Sequence, residues 1–478
     1  MAPSSLWLAA RASALAAALT AVARAEAAPE GAPGSSPPAE PAPPAEPAPA
    51  QPPLEEQVRQ LEQRVAEQDA RIAELERANA PTSKEEDRHA HTPAAAPVDR
   101  AQREDPLSVL TSKDFPRSVP LLGSDFRFAV GGYVKLDAIY DFAGLPDRYR
   151  FALAGIPKRD DPVDRAPYFS LHARESRLKV DVRYMGKGAP SNQAVVEFDF
   201  FTPSTPGYIA PRLRHAYLRW GDFLAGQTWG LLTDMRPLPF IIDFAFVDSI
   251  NAARVPQLRY QGWVTDFLVV RAGVEMPELS GVDNPETLAG EVSPRLPRAA
   301  LGASLETKRG FVSGGASVSE IRWDGTGVST SRSALGWAAV LNGRFLLDEK
   351  GRGVIGAHGA IGEGNAESVG ALAGQNGNAT LTATDLEPML SGHGMVGVSN
   401  RWIELMSTNV AVAWDILVPS PERSPDALAW AWSVHANVIV HVSEPLRFGA
   451  EAMLGESANV DGRSGRATRL QAMAMYSF

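Results

Sequence analysis

Residues 126–142, FRFAVGGYVKLDAIYDF, alternate without a break. Phe126, Phe128, Val130, Gly132, Val134, Leu136, Ala138, Tyr140 and Phe142 form one series, while Arg127, Lys135, Asp137 and Asp141 fall on the other. A period of two sends successive side chains to opposite faces of a β-strand. Strands of soluble domains usually run to about 5–6 residues, about a third of this length. A strand this long, with one face wholly apolar and the other charged, calls for an apolar surrounding on one side and water on the other.

The same period returns down the chain. SRLKVDVRY (176–184) sets Leu178, Val180, Val182 and Tyr184 against Arg177, Lys179, Asp181 and Arg183. AVVEFDF (194–200) sets Ala194, Val196, Phe198 and Phe200 against Glu197 and Asp199, and HAYLRW (215–220) sets Ala216, Leu218 and Trp220 against His215, Tyr217 and Arg219. Alternation continues at 255–264, 266–275, 298–307, 311–322, 333–346, 353–364, 429–441 and 446–456, while 389–417 reads ambiguously. Long connectors (143–167, 230–253, 276–297, 365–388) are separated by tight turns such as GKGAP (186–190), GD (221–222), KRG (308–310) and SEP (443–445). About sixteen strands result. In lipid every backbone group must be satisfied internally, so a membrane-spanning sheet must close into a barrel, apolar outside and polar within. The last segment, RLQAMAMYSF (469–478), carries Leu470, Ala472, Ala474, Tyr476 and Phe478 on its outer series and ends on an interfacial aromatic. The fold class expected is all-β, a transmembrane antiparallel barrel over 126–478 preceded by a short helical coiled coil.

The N-terminal quarter has a different grammar. An apolar stretch ending in Ala23-Arg24-Ala25 reads as a signal peptide over 1–25, which implies export. Residues 26–53 are Pro/Ala/Glu-rich and read as an extended tether. Leu54, Val58, Leu61, Val65, Gln68, Ile72, Leu75 and Asn79 are spaced 4-3-4-3-4-3-4, a heptad seam with matched charges at Arg64/Asp69 and Arg71/Glu76. A coiled coil over 54–79 follows; β-branched a positions lean to two strands, and Gln68 at d weakens that lean. Residues 80–125 read as linker. An even strand number puts both barrel ends, and hence this arm, on the periplasmic side.

Composition closes several routes. A net charge of −10 gives no bulk attraction for nucleic acid. With no cysteine there is no disulfide, thiolate nucleophile or Cys-ligated metal. No G-x-S-x-G occurs and the 8 His show no metal-ligand spacing, so the chain does not read as an enzyme and no metal or cofactor is expected.

At GGYVKLDAIYDF (131–142), ESRLKV (175–180), PRLRHAYLRWGDFLAGQTWG (211–230) and PQLRYQG (256–262) the sequence resembles the DcaP-like family of outer-membrane porins. The resemblance covers roughly residues 54–262, and the C-terminal half by strand pattern. It implies a homotrimer of sixteen-stranded barrels in the outer membrane of a Gram-negative bacterium, with a periplasmic coiled coil, passing small organic anions such as dicarboxylates. The trimer is at odds with the two-strand lean of the heptads, and barrel contacts outweigh a short coil. The Pro-rich tether is not part of what the resemblance implies. A phosphate-selective porin, and a tether from outer membrane to cell wall, are the alternative functions.

In a porin, selectivity is set where the lumen is narrowest. GLLTDMRPLPFIIDFAFVDSINAA (230–253) is long, apolar and non-alternating, which favours folding inward against the barrel wall as a constriction; covering a subunit interface is the other reading. Its candidates are Asp234, Arg236, Phe240, Asp243, Phe244 and Asp248. Strand parity turns Arg177, Lys179, Arg183, Arg219, Arg259 and Arg271 toward the lumen as a substrate pathway. Of the 46 basic residues 38 are Arg, the side chain that engages carboxylates bidentately. Each of these arginines is equally open to pairing with Glu197 or Asp199.

Overall fold

The computed structural model describes residues 115, 118–121, 125–161, 166–186, 192–202, 209–245, 247–277, 279–327, 330–418, 420 and 422–478. The signal peptide, tether and coiled coil expected over 1–79, and most of the linker to 125, lie outside these residues.

Sixteen strands follow one another around a closed antiparallel barrel. They are β1 (Phe126–Asp141), β2 (Tyr168–His172 continued by Arg177–Tyr184), β3 (Asn192–Asp199), β4 (Arg212–Trp220), β5 (Phe223–Trp229), β6 (Arg254–Trp263), β7 (Leu268–Glu275) and β8 (Arg298–Thr307). The second half comprises β9 (Gly310–Gly325), β10 (Arg332–Leu346), β11 (Gly353–Glu363), β12 (Leu390–Ile403), β13 (Met406–Leu417), β14 (Leu428–His441), β15 (Leu446–Asn459) and β16 (Ser464–Ser477). Closure is made by β1 on β16, from Tyr133↔Ser477 to Asp141↔Arg469. Gly132 and Phe478 then exchange backbone hydrogen bonds of 3.2 and 3.1 Å, so the terminal residue completes the ladder.

Alternation becomes two surfaces. Leu301, Leu335, Leu341 and Trp220 on the outer series are each at least 63% exposed, whereas Lys135, Asp137, Asp141 and Arg469 on the inner series are buried. No described helix is long and apolar enough to cross a membrane. The ambiguous region 389–417 is a hairpin, β12 and β13, turned by Glu404-Leu405 alone. It carries none of the Gly, Asn or Pro that usually mark a turn, and a register slip between Arg401 and Ile403 supplies the bend.

Two irregularities change what faces inward. β2 is interrupted at 173–176, where Arg174 and Glu175 turn inside; Glu175 accepts from Tyr133 Oη at 3.1 Å and from Lys135 Nζ. A second slip, between Glu197 and Phe198 against β4, turns both Arg214 and His215 inward. Parity alone would have left Arg214 in lipid, where a charge near the midplane costs about 2–4 kcal/mol.

The connections divide by end. Those after the even strands are short, and those after odd strands include the long loops 142–167, 230–253, 276–297 and 364–389. At the long-loop end a small sheet of Val282–Asp283, Ala379–Leu381 and Leu386–Pro388 ties loop 276–297 to loop 364–389. Loop 142–167 dips inside, where Phe151, Leu153 and Ile156 pack on Ala431, Met453 and Ala467 of β14, β15 and β16.

Candidate functional site

Loop 230–253 runs inside the barrel as a belt. Pro237, in a turn closed by Leu238 N on the Met235 carbonyl at 3.3 Å, and Pro239 both lack amide donors, so the segment joins no sheet. The belt crosses β11 and β12 at glycines of their inward series. A Cβ on Gly356 would collide with the Pro237 carbonyl, and one on Gly397 would lie 2.6 Å from the Pro239 ring. Farther on, Asn437 of β14 donates to the Phe240 carbonyl at 2.7 Å, and Lys135 of β1 donates to the Ile242 carbonyl at 2.6 Å. Ile242 N in turn donates to Glu451 of β15 at 2.6 Å. On the way back Ser249 donates to Asp415 of β13, and Asn251 meets His393 of β12 at 2.8 Å.

The charged members of the belt are its fasteners. Arg236 engages Asp234 and, on β8, Glu306, both at 2.7 Å, and lies 3.5 Å from the Phe311 ring centroid. Burial opposes the charged form of Asp234, but the Arg236 guanidinium and the Ser313 hydroxyl outweigh it and hold the carboxyl at about 2. Asp243 accepts from Phe151 N and Asp248 from Leu153 N, which clamps the belt to loop 142–167. Burial pushes Asp243 up to about 6, and burial with the neighbouring Asp243 charge pushes Asp248 up to about 7. Phe240 is half-buried; Phe244 stacks on Phe201 with centroids 3.8 Å apart, beside Arg212.

A test of this seating arises directly. Gly356→Val is expected to displace the belt, widen the conductance distribution of single channels and destabilise the barrel by about 1–3 kcal/mol, as overpacking does. Gly359→Val, on the outward series of the same strand with nothing within 4 Å of its Cβ, should leave both unchanged.

The wall from β2 to β8 carries the charge. Toward the long loops it is knitted by ion pairs: Arg212–Asp199 (2.6 Å), Arg214–Glu197 (2.7 Å), Arg214–Asp199 (2.8 Å), Arg177–Glu197 (3.9 Å) and Arg298–Glu275 (2.9 Å). Nearer the short turns one row of cross-strand partners reads Arg183, Gln193, Arg219, Leu224, Arg259 and Gly273, with Arg271 beside Gln261 just below. Arg183 pairs with Asp181 at 2.8 Å. Arg219 donates Nε to the Gly221 carbonyl at 2.9 Å, and Arg259 reaches the Trp229 carbonyl at 3.5 Å with its Nε left without a partner. Among the described residues no carboxylate lies within ion-pair distance of either guanidinium, although Arg219 is 8% and Arg259 3% exposed. They line an open recess with Gln193, His215, Trp229 and Gln261.

All six arginine and lysine residues singled out from parity therefore face inward, but in different company. Arg177 and Arg183 are paired, and Arg219 and Arg259 lie in the recess. Lys179 stands opposite Glu197, and Arg271 adjoins Arg259. Sequence reasoning missed Arg214, Arg298, Glu275 and Glu306. Arg214 had a signal, since a charge on an apolar series betrays a bulge; Arg298 and Glu275 sit where 298–307 and 266–275 begin and end, and could have been read from parity. No described group of three or more His, Asp or Glu is placed to hold a metal ion.

Among solved structures, the outer membrane channel DcaP of Acinetobacter baumannii matches 75% of this chain and 99% of its own, with TM-score 0.66 and 19% identity. Salmonella typhi OmpF in its daunomycin complex matches 76% of this chain and all of its own (TM-score 0.48, 8% identity), and outer-membrane-expressed OmpT of Vibrio cholerae 75% and 99% (0.47, 14%). No family model and no curated protein matches the chain. The fold is that of the DcaP channel.

Proposed function

We propose that this chain is a DcaP-like porin of the outer membrane, a passive pore for small organic anions, dicarboxylates among them. The observation that carries the reading is the pair Arg219 and Arg259: two buried guanidiniums on the lumen wall with no carboxylate of the described residues within ion-pair distance. A buried charge without a partner costs several kcal/mol, and a passing anion removes that cost. Loop 230–253 adds to it by displacing water from the opposite wall, because a narrower and less polar passage strengthens each remaining charge. A phosphate-selective pore needs an unbroken run of cations. Here the adjoining row holds Asp181 and Glu275, which favours scattered carboxylate stations over a phosphate ladder.

In this reading the short turns face the periplasm and the long loops the exterior. A trimer draws support from strand length: β3, β5 and β7 have 8, 7 and 8 residues, short of the 9–11 needed to cross the hydrocarbon core. A neighbouring subunit would cover that low wall. The expected results are a heat-modifiable trimer on gels and liposomes that admit succinate faster than a neutral solute of equal size. Equal rates for the two solutes would remove the anion reading. Deletion of residues 26–105 should leave barrel insertion intact, as the sixteen described barrel strands all fall within 126–477; loss of assembly in that truncation would assign trimerisation to the N-terminal arm.

A further inference from the structure

We propose that the recess at the short-turn end of β3 to β6 is a binding station for aryl monocarboxylates, flat rings bearing a single carboxylate. The inference rests on the anion-pathway reading and names the anion that this part of the wall fits.

Three observations point to it. The first is a set of unmade hydrogen bonds. Among the described residues Arg259 Nε and Gln261 Nε2 have no partner, and both side chains are at most 5% exposed. They stand two residues apart on the inward series of β6, and both line the recess. Two buried donors aimed at one space are costly until an acceptor arrives. A planar carboxylate offers two oxygens to them, and Arg219 adds its charge from across β5.

The second is the wall beside them. Arg259 Nη1 lies 3.5 Å from the Trp229 carbonyl, and Trp229 lines the same recess. His215 meets that indole edge-on with centroids 5.6 Å apart, and Val195 and Leu224 complete an apolar side. Arg254 lies over one face of the indole, 4.6 Å from the ring centroid, so an aromatic ring attached to the bound carboxylate would find its partners edge-on. Inorganic anions and short aliphatic acids would leave that wall unused.

The third observation limits the ligand to one charge. Beyond the ring position the cations of the wall are already held, Arg214 by Glu197, Arg183 by Asp181 and Arg298 by Glu275. A second carboxylate would meet ion pairs that are already made. Dicarboxylates can pass along the lumen, but this station favours the monoanion.

The experiment uses the full chain in planar bilayers at low KCl, adding benzoate, cyclohexanecarboxylate, acetate, succinate or inorganic phosphate and reading the fall in single-channel current. Benzoate should bind about tenfold tighter than acetate or succinate, the order of gain expected from aromatic contacts, and cyclohexanecarboxylate should fall between. Arg259→Gln should remove the benzoate effect. Trp229→Leu should bring benzoate to the level of acetate without altering the reversal potential. Trp229 also packs on Met235 and Ile250, so Trp229→Phe, which keeps that packing, should retain most of the preference. Benzoate binding no tighter than acetate in an anion-selective pore would overturn the station and leave the pathway standing. A preference that survives Trp229→Leu would overturn the aromatic wall. A wild-type pore with no anion selectivity would overturn the pathway reading itself.

Discussion

Raising the pH from about 5 to about 8 is expected to loosen loop 230–253 inside the barrel and to multiply the fluctuations of the open-channel current several-fold. Asp248→Asn should abolish most of that change. Asp248 is buried where the belt meets loop 142–167, and its carboxyl is raised to about 7 by burial and by the Asp243 charge. Asp243, among Phe151, Glu451, His435 and Arg469, is raised to about 6, chiefly by burial. Once undocked, both would titrate near the ordinary value of about 3.8. A group raised on docking favours the docked state in full below its undocked pKa and loses that preference as pH climbs through the docked value. The window is therefore about pH 4–7, and the loss at Asp248 alone across it is on the order of 4 kcal/mol. Asn keeps an oxygen for the Leu153 amide and has nothing to ionise. Current noise that stays flat between the two pH values, or an Asn variant that follows wild type, would contradict this clamp.

Replacing Arg219 and Arg259 together by Gln is expected to slow uptake of small dicarboxylates by about tenfold at low salt, within the range over which fixed charge accelerates encounter. Among the described residues neither guanidinium holds a carboxylate, so the substitution breaks no ion pair and strands no acid there. The Arg219 Nε contact to the Gly221 carbonyl can be taken over by the Gln amide nitrogen, while the 3.5 Å contact from Arg259 Nη1 to the Trp229 carbonyl is lost. The deficit should shrink as ionic strength rises, since exposed lumen charge is screened over about 10 Å at 0.1 M. Arg177→Gln makes the comparison. It removes a partner of Glu197, which Arg214 also holds, and should change uptake far less.

Much of the barrel was legible because lipid enforces the period of two on every crossing strand. The outer series of β1, the tight turns and the closing aromatic strand could be read from residue types alone. The hairpin β12–β13 could not, because its turn rests on Glu404 and Leu405 and a register slip rather than on turn-forming residues. Inward direction was legible for Arg219 and Arg259, yet nothing along the chain distinguishes them from Arg177, whose partner comes from a neighbouring strand. Arg214 faces inward only through a bulge set by pairing across β3 and β4. The inner belt could be suspected from its apolar length. Where it lies is written elsewhere in the sequence, in Gly356 and Gly397, inward-series glycines whose missing side chains make room for Pro237 and Pro239. Its charged residues could be mistaken for lumen charges because a fastener and a selectivity ring use the same side chains.

The reversal potential of the full-length protein in a planar bilayer, under a KCl gradient at low salt, tests the central claim most directly. An anion-selective pore organised around Arg219 and Arg259 predicts a potential of the sign set by chloride. That potential should move toward the potassium side when both are changed to Gln and converge on wild type as salt is raised. A wild-type potential of the sign set by potassium, or one that the double substitution leaves where it was, would contradict the account.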